Sequence, residues 1–160
     1  MSMKDDVATF EAKLNQRIEV TMVEMVLPKV KDALQEAIET EVYEKYTPTL
    51  YERRRDKDGG LQDRDMMKFT YDNTTNTLEV KDLSRANADS DYMASDSGNT
   101  LGRLVAPVVE SGEGYTWTKS KIYKKQPFPR PFHEAAERQM KDSGEFERQL
   151  EIGLKGYGLM

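Results

Sequence analysis

The chain has 160 residues, no cysteine and a formal net charge of −5. That length suits one domain with a modest core, and the missing thiols exclude disulfides, thiolate zinc sites and cysteine nucleophiles. The acidic balance argues against general DNA binding, which needs clustered Lys and Arg. Charged residues at 33% against hydrophobic ones at 37% describe a polar chain that can still fold and leave some apolar surface for a partner. No stretch nears the ~18 consecutive apolar residues of a membrane span. The opening MSMKDDVATFEAKL carries acids where a signal peptide needs positive charge followed by an apolar run. The expectation is therefore no membrane partner, and a protein made and used inside a cell or packed into a particle assembled there.

Residues 6–46 read as helix. Phe10, Leu14, Ile18 and Met22 are spaced four apart, and Leu34, Ile38 and Val42 repeat that spacing. Pro28 has no amide hydrogen and its ring crowds the preceding turn, which predicts a kink or break between Met25 and Leu27. Pro48 ends the helical stretch, and Asp58-Gly59-Gly60 is turn chemistry, with Arg53, Arg54 and Arg55 on an extended link. Residues 66–82 form the clearest hairpin. Met67, Phe69 and Tyr71 alternate with polar residues, as do Leu78 and Val80, around the turn formers DNTTN.

Residues 83–100 are rich in Asp, Ser, Asn and Ala, and read as an exposed loop. The apolar run from Leu101 to Val109 fits a short helix, a strand, or one leading into the other, and residues 115–123 fit a third strand. Pro127, Pro129 and Pro131 force an extended approach to a helix beginning near Phe132. Asp142 and Glu145 have the spacing of a capping box for a last helix, with Phe146, Leu150 and Leu154 on one face and Gly156 and Gly158 at its end. The sum is a single α+β domain over residues 1–160. A long N-terminal helix and C-terminal helices pack on one face of a small, mostly antiparallel sheet, with residues 101–160 supplying a strand and those helices.

The chemistry in this sequence points away from catalysis. His133 and Glu137 lie four apart in HEAAE, but a zinc-protease helix needs a second histidine where Glu137 stands. SGEGYT lacks the lysine of a phosphate loop and the strand–helix context of a dinucleotide fold. Asp89, Asp91 and Asp96 do not follow a calcium-loop pattern. The basic run Arg53–Arg55 is surrounded by Glu52, Asp56 and Asp58, which favours ion pairing or a solvated link over phosphate binding. Tyr43, Tyr46 and Tyr51 cluster around the helix exit, at a spacing that core packing alone would explain. No nucleophile pairs with a base, so no catalytic, cofactor-binding or metal residue is expected. The stiff Phe128-Pro129-Arg130-Pro131-Phe132 block would dock either into the chain's own core or into a neighbouring subunit.

VYEKYTPTLYERRRDKDGGLQD, then LVAPVVESGEGYTW, then PFPRPFHEAAERQM and LEIGLKGYG together resemble phage head–tail joining proteins. These are neck or tail-completion subunits of tailed phages and of phage-derived tail particles. The likeness runs from about Tyr43 to the C-terminus, and its most specific pieces are the Tyr-Glu-Arg-Arg link, Glu110 and Gly112 with Tyr115, and Arg130-Pro131-Phe132. It implies a non-enzymatic virion subunit, without cofactor, built in the host cytoplasm. It also implies a ring, six- or twelve-fold, around a channel through which DNA passes without specific binding, in contact with connector and tail proteins. The residues it offers for such contacts are Tyr51, Arg53, Arg54, Glu110, Gly112, Tyr115, Trp117, Phe128, Arg130 and Phe132. A different class, a nucleic-acid- or protein-binding module, would use the Arg53–Arg55 patch. A third, a small metal-dependent hydrolase, would rest on His133 and Glu137.

Overall fold

The computed structural model describes residues 3–45, 53–85, 104–113 and 128–158. The elements are α1 (Met3–Thr21), α2 (Leu27–Ile38), β1 (Met67–Asp72), β2 (Thr77–Asp82), α3 (Ala106–Ser111), α4 (Phe132–Asp142) and α5 (Glu145–Gly156). Together they form an α+β fold with a long N-terminal helix, a two-stranded antiparallel sheet and C-terminal helices. Contacts divide the chain into two compact units. One comprises Met1–Ala33, Phe69–Val80 and Glu137–Met160, the other Leu34–Lys68 and Lys81–Ala136.

The helix that starts at Met3 does not break at Pro28. Residues Met22–Val26 open into a π turn, in which the Leu27 N–H reaches back five residues to the Met22 carbonyl. The wider turn carries the backbone past a ring that would crowd ordinary α geometry, so the interruption expected near Met25 to Leu27 takes the form of a π turn between α1 and α2. A second π turn spans Glu39–Tyr43, closed by the Glu44 N–H on the Glu39 carbonyl at 2.8 Å. Leu34, Ile38 and Val42 are buried, as their spacing predicts. Tyr46, Pro48 and Tyr51 lie outside the described residues.

Within the first unit, α1 packs antiparallel on α5. The closest approach is glycine against threonine: a Cβ on Gly153 would lie 2.2 Å from Thr21 Cγ2. Thr21 is the one buried residue of α1, and Gln149 and Gly153 are those of α5. Phe146, Leu150 and Leu154, expected on one face of α5, are all half-buried. A turn farther along the pair, the Arg17 guanidinium sits 4.2 Å from the Tyr157 ring centroid. The expected capping box is not formed. Asp142 is the last residue of α4, and left-handed Gly144 (φ 63°) makes the corner, with Ser143 Oγ accepting the Glu145 N–H at 3.3 Å.

The hairpin forms where its alternation places it. At its turn Asp72 accepts the Thr74 N–H at 2.8 Å and the Thr75 hydroxyl at 3.0 Å, which holds its carboxyl below the usual range. Asn76 takes the left-handed corner, a conformation its short polar side chain tolerates. The loop expected to be exposed from Leu83 begins with an anchor instead. Ser84 is buried and donates its hydroxyl to the Gly60 carbonyl at 2.9 Å, and Arg85 pairs with Leu104 in an isolated antiparallel bridge. The apolar run that follows resolves as a single bridging residue and then helix α3, opened by Pro107 in its first turn. The remainder of the 83–100 loop and the third strand expected at residues 115–123 lie outside the described residues.

Candidate functional site

The second unit gathers most of the sequence-picked residues into two clusters. The first is built on Tyr43, at the end of the helical run, where backbone carbonyls lack intrahelical donors. Arg53 donates from Nη1 to the Tyr43 carbonyl at 3.0 Å and lays its guanidinium 4.7 Å from the Tyr43 ring centroid. Arg55 lies 5.0 Å from the same centroid and grips Glu39 with Nη1 at 2.9 and 3.1 Å from its two oxygens. A cation at this helix end satisfies both the free carbonyl and the negative end of the helix dipole. Burial pushes the Tyr43 phenol up to about 12, against the opposing pull of Arg53 and Arg55.

The arginine segment is not the extended link that its charge pattern suggested. Arg55 and Asp58 both take positive φ, at 52° and 54°, and the chain folds into consecutive turns. Gly60 is required by the close return of the backbone, since a Cβ there would lie 2.2 Å from the Arg55 carbonyl oxygen. Arg54 reaches across this turn to the Asp58 carbonyl at 2.8 Å and to the Arg85 carbonyl. Gln62 and Gln35 lock the turn to α2 by exchanging side-chain-to-carbonyl bonds of 2.9 and 2.7 Å. Each of the three arginines therefore holds protein groups, which weakens the reading of this patch as a phosphate grip.

The second cluster joins α3 to the start of α4. Glu110 Oε1 accepts the backbone N–H of His133 at 2.7 Å and lies 2.7 Å from its Nδ1. A carboxylate only accepts, so Nδ1 carries the proton of that bond. The arrangement supplies an acid to the first turn of α4, where backbone N–H groups are free. His133 thus turns to Glu110, while Glu137 pairs with Lys141 at 3.7 Å. Among the described residues no cluster of three His, Asp or Glu side chains is placed to hold a metal.

The proline arm closes the same cluster. Gly112 ends α3 in left-handed geometry (φ 69°), and a Cβ on it would lie 2.5 Å from the Phe128 carbonyl carbon. The Arg130 N–H donates to the Val109 carbonyl at 3.0 Å, and the Arg130 guanidinium lies 5.5 Å from the Phe128 ring centroid. Arg130 is buried, and Phe132 is 0% exposed with its ring centroid 4.4 Å from that of His133. Of the two docking places open to this block, Phe132 takes the chain's own core. It and Arg130 are supports rather than accessible contact residues, whereas Phe128 keeps 37% of its surface exposed. Tyr51, Tyr115 and Trp117 lie outside the described residues.

Sequence reasoning missed Asp82. It ends β2 at 4% exposure, accepts the Ser84 N–H at 2.7 Å through Oδ1, and has no hydrogen-bond partner for Oδ2 among the described residues. Burial pushes its carboxyl above the usual range despite the Ser84 bonds. An aspartate closing an alternating strand carries no signal of this, because the alternation alone does not say which strand end is covered.

The YomN family model matches residues 6–156, so the chain belongs to the YomN family. It is a phage-related protein. No curated protein and no solved structure gives a match. Among the described residues no helix is long and apolar enough to cross a membrane.

Proposed function

We propose that this protein is a structural subunit at the head–tail junction of a phage or phage-derived tail particle, forming a ring around the DNA channel and acting without catalysis. One observation carries the reading. Of the residues behind the likeness to head–tail joining proteins, Arg53 and Glu110 bond backbone groups and Phe132 is fully buried. Guanidinium and carboxylate hold a helix end, a turn and a helix start there, as a scaffold requires. Phage-related family membership supports the same reading. A closed ring repeats one head-to-tail contact, which asks each copy for two different patches. The net charge of −5 suits a lumen that lets DNA slide past.

Deleting the gene from a phage that carries it and imaging the lysate by electron microscopy tests this role. Filled heads and detached tails are the expected result. Normally joined, infectious particles lacking the protein would overturn it.

A further inference from the structure

The stripe along α1 is covered over only half its length. Met3, Val7, Phe10 and Leu14 follow one another at steps of four, three and four, the spacing of a coiled-coil seam, and Arg17 and Thr21 continue it. The far half of that seam is occupied by the chain's own α5, through Thr21 against Gly153 and Arg17 against Tyr157. Helix α5 ends at Gly156, and the near half lies open: Met3 is 84% exposed, Val7 52% and Phe10 57%.

The charges beside the open half say what fits it. On one flank stand Lys4 and Glu11, on the other Asp6 and Lys13, all exposed. When two copies of α1 run antiparallel with Met3 facing Leu14 and Val7 facing Phe10, Asp6 of each copy meets Lys13 of the other. On the opposite flank Lys4 meets Glu11 in the same way, so all four contacts join opposite charges. A parallel pair instead sets Asp6 against Glu11, acid on acid, and leaves Lys13 beside Ile18.

We infer that the free protein pairs with a second copy of itself through the first three turns of α1, antiparallel and two-fold symmetric. The seam continues the antiparallel α1–α5 contact beyond the point where α5 stops. It is about 18 Å long at the helical rise, which makes the pair weak and concentration-dependent. A two-fold pair is not the head-to-tail contact of a ring, so this inference stands independently of the head–tail reading.

Sedimentation equilibrium of the full chain from micromolar to millimolar concentration tests it, with three variants. Wild type should pass from monomer to dimer. Phe10→Glu, on an exposed surface and checked for unchanged circular dichroism, should remain monomeric. Lys13→Glu should dimerise roughly tenfold more weakly, and adding Asp6→Lys should restore affinity to within about twofold. Carbodiimide treatment of mixed light and isotopically heavy chains should join Lys4 to Glu11 and Lys13 to Asp6 between copies. A wild type that stays monomeric throughout, meaning that another protein covers the stripe, would overturn the inference. So would an oligomer indifferent to Phe10→Glu, or a charge swap that fails to restore pairing.

Discussion

Two phenylalanines meet opposite surroundings in two regions of this chain. Phe132 is sealed inside the second unit, where Arg53 and Glu110 bond backbone groups, Arg55 grips the Glu39 carboxylate and Gly112 lets the Phe128 backbone approach. Phe10 stands more than half exposed on α1, between rows of charge. The regions differ in how their polar groups are satisfied. Around Phe132 the partners lie far away in sequence, as with Glu110 and His133, so long-range bonds draw polar side chains inward. Along α1 the helix satisfies its own backbone, nothing long-range is needed, and the apolar side chains remain free to meet another surface. Burial here follows the reach of the hydrogen-bond network more closely than it follows residue polarity.

The sharpest break of that contrast is a matched pair of truncations. Phe132→Ala should lower stability by about 3–5 kcal/mol through its cavity, while Phe10→Ala should stay within about 0.5 kcal/mol of wild type. Thermal and denaturant unfolding measure both, and similar losses would erase the distinction. Gly112→Ala comes next, at about 2–3 kcal/mol, since the residue combines positive φ with close approach of the Phe128 backbone. Arg53→Ala should cost about 1–2 kcal/mol by freeing the Tyr43 carbonyl and exposing its ring. Arg53→Lys should recover part of this, because a lysine supplies charge without the flat fork. A full recovery would show that charge alone does the holding.

The smallest effect is a pH slope. Asp82 is buried and its carboxyl is pushed above 3.8, so the folded state favours the protonated acid. Its contribution to stability is present below the unfolded value and is lost as pH rises through the folded one. Asp82→Asn should remove that decline, so wild type should lose ground to the variant as pH rises from acid towards neutral. Unfolding midpoints across that range measure the gap, and a constant gap would mean that Asp82 is ionised as easily in the fold as out of it.

Local order was the legible part. The four-residue spacing of Leu34, Ile38 and Val42 marked a buried helix face, and alternation with DNTTN marked the hairpin, because both patterns arise within a few residues. Pro28 marked where α geometry is interrupted, though not that a π turn would be the form of the interruption. Asp142 misled because its capping spacing also fits the end of a helix, and Gly144, which can take positive φ, decided the corner. The site was legible as a set of residues and not as a direction. Charge pattern alone does not reveal that Arg53 and Arg55 fold back on a tyrosine ten or twelve positions earlier. Tyr43 at the helix exit was the available signal, and it was read only as core packing.

The π turn at Met22–Val26 also sets a phase. A helix advances about 100° per residue, so one residue inserted or removed at this turn would rotate everything before it by more than a quarter circle about the axis. Phe10 and its neighbours would then face a different compass bearing without any change to their own sequence. The direction in which the open stripe looks is therefore written in the pitch of five residues farther along the helix, and length polymorphism at that bulge would change the bearing of α1 relative to α2.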